Sequence, residues 1–199
     1  MGLTNRQEQI IIGSILGDGH LELNGRNVRL RVDHSQRQKE YLFWKYRELR
    51  DICPSEPRIV KILPHYKTKK VYERWHFSTF SSADLNRFRE TFYISRRKII
   101  PICIKQILKD PLSLAVWFMD DGYKRNDCNA FRLHTDCYSL DEQKLLQNCL
   151  KENFCIGSSL HKKGDTWNIY IPSAQSERFR QVIGPFILPD MRYKLPLAP

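Results

Sequence analysis

Two aspartates and a glycine close the run LAVWFMDDG at positions 114–122, and an aspartate and a glycine close the run IIGSILGDG at positions 11–19. Each run reads as a helix. Asp110 followed by Pro111 is an N-cap with proline at the first helical position, so the later run starts just before Leu112 and points its C-terminal end at Asp120 and Asp121. Unpaired carbonyls already give that end negative character, so stability alone would place Lys or Arg there. An acid in that position breaks a local rule and marks a functional site. One such helix, taken alone, is better read as a buried helix with a glycine cap; two in one chain reverse that preference.

Asp18 and Asp121, flanked by the outward-pointing carbonyls of the two helix ends, form an all-oxygen donor set suited to a hard divalent cation such as Mg²⁺. Like charges that close raise one another's pKa, and a cation removes the penalty. Metal-assisted phosphodiester hydrolysis is the reaction this donor set supports best. Lys98, three residues before Pro101, and Lys194, two before Pro196, recur at equivalent places and are the candidates to polarise water or to stabilise charge on the phosphate. Solvated lysines at helix ends are the plain alternative, and only the repeat argues against them. No Ser, Cys or His constellation for nucleophilic catalysis is present.

The elements that must position these residues also repeat. Thr4 and Gln7 form a capping box opening a helix through Ile10, Ile11, Ile12, Ile15 and Leu16. Gly13 and Gly17 lie on one face of it, where missing side chains admit a second helix. There follow a hairpin with an I′ turn at Asn24-Gly25, a helix over 36–50, a second hairpin across the basic loop Lys67, Lys69 and Lys70, and a helix capped by Ser81 or Ser82. After Gly122 the same order returns, with a turn at Gly164-Asp165. Trp75-His76-Phe77 matches Trp167-Asn168-Ile169, whereas His34-Ser35 matches His134-Thr135 only with a bulge or a shifted register.

The expected fold is α+β, a pseudo-twofold tandem of two αββαββα units on a central two-helix dyad. The halves fall at 1–98 and 111–199, joined by a segment at 99–110, and they should fold as one unit.

Lys and Arg outnumber Asp and Glu by 33 to 22 in the 199 residues, and the sequence pI is about 9.5, which favours a polyanionic partner. No apolar run is long enough for a membrane span and no signal-peptide core opens the chain, so an intracellular location is expected, in an organelle matrix or a prokaryotic cytoplasm. The six cysteines have neither C-x-x-C nor zinc spacing and read as reduced, mostly packed thiols.

The strands supply the matching surface. Arg29 and Arg31 alternate with Val28, Leu30 and Val32, and Arg74 and His76 with Trp75 and Phe77. Arg132 and His134, then Asn168 and Tyr170, repeat the pattern in the second half. Half-buried strands with a donor-rich face fit a DNA major groove, with Lys67, Lys69, Lys70 and Lys162 on phosphates. For any single residue a solvated sheet face is an equal reading; for all together it is the weaker one.

Taken together, the runs at 11–19 and 114–122 and the ending Tyr193-Lys194-Leu195-Pro196 resemble the LAGLIDADG homing endonucleases, in particular the single-chain, two-motif members encoded in group I introns. The resemblance covers nearly the whole chain. It implies a saddle of two four-stranded sheets, a monomer on a long, partly asymmetric duplex site, and Mg²⁺-dependent cutting of both strands across the minor groove to leave 3′ overhangs. Mn²⁺ is then expected to substitute, and Ca²⁺ to bind without efficient cleavage.

The resemblance also implies that Asp18 and Asp121 hold the metals, assisted by the Gly17 and Asp120 carbonyls, with Lys98 and Lys194 as the basic residues. Ser35 and Asp136 fall where the family positions active-site water. Two residues depart from the pattern: Val116 and Asp120 replace small helix-packing residues, so close contact should rest on Gly13 and Gly17. Asp136 stands in place of a neutral Gln. An intron RNA maturase and a non-cleaving DNA-binding regulator are the alternatives on the same fold.

Overall fold

The computed structural model describes residues 2–62 and 72–195. Thr4 caps α1 (Asn5–Leu16) with both bonds of the capping box in place. Two strands follow, β1 (His20–Asn24) and β2 (Asn27–Ser35), then α2 (Lys39–Glu48), β3 (Arg58–Ile62), β4 (Tyr72–Ser78) and α3 (Ala83–Phe92), the last capped by Ser82. A two-residue ribbon of β5 (Tyr93–Ile94) and β6 (Arg97–Lys98) and the single turn α4 (Ile104–Ile107) lead to the second half. There Asp110 caps α5 (Pro111–Asp121), followed by β7 (Gly122–Lys124), β8 (Phe131–Leu133), α6 (Leu140–Phe154), β9 (Ser159–Lys163), β10 (Thr166–Ile171) and α7 (Ser173–Ile183).

The two halves give two antiparallel sheets of the same topology, β1-β2-β4-β3 and β7-β8-β10-β9. In β2 burial alternates strictly: Val28, Leu30, Val32 and His34 face inward, and Arg29, Arg31, Asp33 and Ser35 face out. The inward faces, both motif helices and the joining segment share one apolar core that runs through both halves. Burying it is the main driving force for the fold.

α1 and α5 cross at the centre of the molecule with their backbones nearly touching. A Cβ on Gly13 would lie 2.5 Å from Ser113 O and 2.6 Å from Val116 Cβ, and one on Gly17 would lie 2.4 Å from Asp120 Cβ. The close approach therefore rests on these two glycines, with Val116 and Asp120 filling the space their side chains leave. Tyr41 and Tyr138 then tie the halves together, donating their hydroxyls to Val116 O at 3.1 Å and to Leu16 O at 3.4 Å.

Several local expectations are corrected. The first hairpin turns at Gly25-Arg26, because Asn24 pairs with Asn27; only Gly25 has positive φ, which excludes an I′ turn. Residues 36–38 form a separate 3₁₀ turn before α2. Leu133 pairs with Ile169 as Val32 pairs with Phe77, so His34 corresponds to Thr135 and Ser35 to Asp136, a register shifted by one residue. Cys103, Cys128, Cys137 and Cys155 are exposed rather than packed, and only Cys149 is buried. The loop carrying Lys67, Lys69 and Lys70 lies outside the described residues.

Gly13→Ala tests the helix contact. Its methyl would meet backbone oxygen and a β-branched side chain, and such overpacking should cost about 1–3 kcal/mol in a denaturant titration. An unchanged midpoint would show that the helices are not held this tightly.

Candidate metal and nucleic-acid site

The crossing of α1 and α5 brings their C-terminal ends side by side, and with them Asp18 and Asp121. Asp18 keeps 45% of its side chain exposed and Asp121 is half-buried, so both open onto solvent. Burial raises the pKa of both. For Asp121 it acts together with the charges of Asp18 and Asp120, and the carboxyl is pushed up to about 7. For Asp18 burial and Asp120 act upward while Lys45, Lys194 and Lys98 oppose them. Two solvent-facing acids whose pKa values are both raised form a site that a cation would complete. The oxygen donors fit a hard divalent ion.

Lys98 and Lys194 occupy matching places around this pair. Lys98 Nζ donates to Gly17 O at 2.8 Å and Gly19 O at 3.0 Å; Lys194 Nζ donates to Met119 O at 2.5 Å and Asp120 O at 3.0 Å. The carbonyls of Gly17 and Asp120 are thus engaged by the lysines in the free protein. Each ammonium spends two of its three N–H groups on backbone carbonyls at the end of its own motif. Burial lowers both lysine pKa values against the pull of the acids, Asp121 foremost for Lys98 and Asp120 for Lys194. A cavity of about 500 Å³ adjoins Asp121 and Lys194, lined also by Gln38, Tyr123, His134 and Tyr193.

Asp120 does more than lend a carbonyl. Its carboxylate is fully buried and accepts from Lys45 Nζ at 2.8 and 2.9 Å, and Lys45 is also 0% exposed. His34 bridges this pair to the site: its Nε2 lies 3.6 Å from Asp120 Oδ1 and its Nδ1 3.7 Å from Asp18 Oδ2. Burial and the Lys45 charge lower the His34 pKa to about 4, so the ring is neutral at physiological pH. Asp18, His34 and Asp120 come close enough to share a metal ion. The ammonium of Lys45 already neutralises Asp120, however, which leaves Asp18 and Asp121 as the candidate acids for a metal.

Lys45 and His34 were not singled out from sequence. A cue exists for Lys45, which sits four residues after Tyr41 and four before Leu49 on the apolar stripe of α2. A lysine there is a charge in the core.

On the outer face of the first sheet, Arg31, Arg74 and His76 converge on Asp33 at 2.8, 3.1 and 3.3 Å, and Arg29 pairs with Glu22 at 2.7 Å. In the second sheet His134 is exposed and stacks on Tyr123 at 4.9 Å, Arg132 lies over the Tyr170 ring at 5.9 Å, and Lys162 is exposed. Arg132 Nε and Asp136 Oδ1 are buried with no partner among the described residues. Ser35 is exposed at the end of β2. Asn168 departs from expectation. It is 3% exposed and its carboxamide oxygen accepts from the Thr135 N–H at 3.1 Å, so it braces the end of β8 instead of offering donors outward.

A family model described as the LAGLIDADG DNA endonuclease family matches residues 8–179. The DNA endonuclease I-ChuI of Chlamydomonas applanata is 34% identical over 98% of this chain and 96% of its own length. The cytochrome b mRNA maturase bI2 of Debaryomyces hansenii is 31% identical over 94% of this chain and 72% of its own. Among solved structures, the homing endonuclease I-WcaI bound to its DNA recognition sequence superimposes with a TM-score of 0.92 at 28% identity, covering 100% of this chain and 89% of that one.

Two measurements test this electrostatic arrangement. A carboxyl whose folded pKa is raised loses stability as pH climbs from its unfolded value of 3.8 through about 7. Metal-free Asp121→Asn should therefore melt above wild type at pH 8, with the gap closing toward pH 4, and Mg²⁺ at pH 8 should narrow the gap by stabilising wild type alone. A gap independent of pH would refute the raised pKa. Lys45→Met leaves a buried carboxylate unpaired and should cost about 3–5 kcal/mol, most of it regained in Lys45→Met/Asp120→Ala. Equal losses in the single and double variants would show that the pair is not the source.

Proposed function

Because this chain belongs to the LAGLIDADG DNA endonuclease family, we propose that it is a sequence-specific homing endonuclease that cuts both strands of a long, partly asymmetric DNA duplex as a monomer. The observation that carries the reading is the pairing of Asp18 and Asp121 at adjoining helix ends, each with a lysine on its motif carbonyls. Mg²⁺ is the proposed ion, with Mn²⁺ able to replace it and Ca²⁺ binding without efficient cleavage. When bound, the divalent ion supplies an activated water and neutralises charge at the leaving oxygen.

The chain's own residues do the rest. Asp18 and Asp121 present oxygen ligands. Lys98 and Lys194 each turn one free N–H toward the scissile phosphates, where developing negative charge is stabilised. Ser35 and Asp136, equivalent in the two sheets, orient water at the two ends of the site. With one acid and one lysine per half, each half serves one strand, and cutting across the minor groove with 3′ overhangs is the outcome the family resemblance implies.

Arg29, Arg31, Arg74, His76, Arg132, His134 and Tyr170 line the proposed major-groove faces, and Lys162 with the loop lysines Lys67, Lys69 and Lys70 meets phosphates. The Asp33 pair along β2 and the cross-strand Glu22 pair restrain Arg31 and Arg29 before DNA arrives. An intracellular location, in an organelle matrix or a prokaryotic cytoplasm, is part of the same proposal.

A second reading is supported by the similarity to a protein named as an mRNA maturase: a role in intron RNA folding, alone or beside cleavage. Acid substitutions separate the two. Asp18→Asn and Asp121→Asn should each reduce linearisation of a plasmid bearing the rejoined flanks of the gene's insertion site by at least about a thousandfold, with gel-shift binding largely kept. Splicing assistance that survives in both variants would establish the maturase role, and wild-type cutting in either would remove the metal assignment.

A further inference from the structure

The two motif helices end differently. α5 stays helical through Asp121, and the Gly122 N–H still donates to Phe118 O four residues back. α1 stops at Leu16: Gly17 has φ −99° and ψ −132°, and the Gly19 N–H takes Ser14 O at 2.7 Å. In a continuing helix that carbonyl would belong to the Asp18 amide. The Asp18 N–H instead donates to Asp120 Oδ2 at 3.2 Å. The backbone of Asp18 is therefore held by a side chain of the other motif, and that of Asp121 by its own helix.

Asp120 can serve as this support because it is itself immobilised. Lys45 donates to both of its oxygens, and its Cβ fills the space that Gly17 leaves empty. Gly17 stands in the repeat where Asp120 stands, and without a side chain it has nothing to offer Asp121 in return. Lys45 is fully buried, so it reaches neither solvent nor a bound duplex, and its ammonium meets Asp120 at 2.8 and 2.9 Å and His34 Nε2 at 3.5 Å.

We infer that the Asp120 carboxylate and Lys45 form a positioning pair for the Asp18 half of the cleavage site only, so that the two strand cuts depend on different supports. The inference rests on the endonuclease reading for its consequence and on the hydrogen-bond geometry for its cause. Catalytic constellations tolerate little displacement, and a shift near 1 Å in a metal-binding acid can cost about a hundredfold in rate. Removing the pair should therefore slow one strand cut and spare the other. A pair that merely filled the helix contact would affect both cuts alike.

The test uses the full chain and a supercoiled plasmid bearing the rejoined flanks of the gene's insertion site, with end labels that resolve the two strands. Lys45→Met/Asp120→Ala removes both charges and the acceptor; Lys45→Met/Asp120→Asn removes the charges and keeps an oxygen for the Asp18 amide. The alanine double variant should accumulate nicked circles, with one strand cut at least about tenfold more slowly relative to the other than in wild type. The asparagine double variant keeps an acceptor but loses the Lys45 anchor, so its ratio should fall between those of wild type and the alanine variant.

Amide hydrogen exchange without DNA gives a reading independent of cleavage. Protection over residues 16–20 should fall furthest in the alanine variant and less in the asparagine variant, with residues 118–122 unchanged in both. A wild-type protein that cuts no target while showing this exchange pattern would defeat the endonuclease reading and leave the positioning pair standing. Equal strand ratios, equal exchange in the two variants, or a double variant that no longer melts cooperatively would each overturn the inference, the last because the pair would then be holding the fold.

Discussion

A methyl group at Gly13 or Gly17 has nowhere to go, and the rest of the molecule follows from that closeness. Two helix backbones in near contact place their C-terminal ends together, which concentrates carbonyl dipoles and acids at one spot. The same closeness fixes what can stand opposite each glycine. Val116 packs against Gly13, and Asp120 against Gly17, which puts a carboxylate into the core. A buried charge of that kind persists only with a partner, and Lys45 from α2 supplies it.

The centre of the protein thus holds Asp18, Asp120 and Asp121 against Lys45, Lys98 and Lys194, with a neutral His34 between. The charges balance in number but differ in their tasks. Lys45 is spent on Asp120, whereas Lys98 and Lys194 are spent partly on backbone carbonyls. Asp18 and Asp121 are left under-compensated, and this shows in the raised carboxyl of Asp121. Such a site costs the metal-free fold some stability and gives it a reason to bind a cation.

The sheet faces are prepared in a comparable way. Asp33 gathers Arg31, Arg74 and His76 on the first sheet, and aromatic rings support Arg132 and His134 on the second. Basic side chains held in place lose less conformational freedom on meeting a duplex than free ones would. The two sheets share a topology but differ in means: ion pairs order the first, whereas rings, with Asp136 3.8 Å from His134, support the second.

The sequence by itself determined the pair of capped helices, the acids at their ends, the repeat of strand and helix order, and the lysines before each proline. Those features are local or periodic: a cap lies within three residues of its partner, and burial in a strand alternates every second residue. Tertiary structure alone decided the strand register that matches His34 to Thr135, the inward turn of Asn168, and the ion pair between residues 45 and 120. Such pairings join distant segments and depend on which side chain fills a gap left by another, so no spacing records them. Lys45 left one trace, a charge on an apolar stripe. Its partner becomes visible only in the fold, where Lys45 of α2 meets Asp120 of α5 in the core.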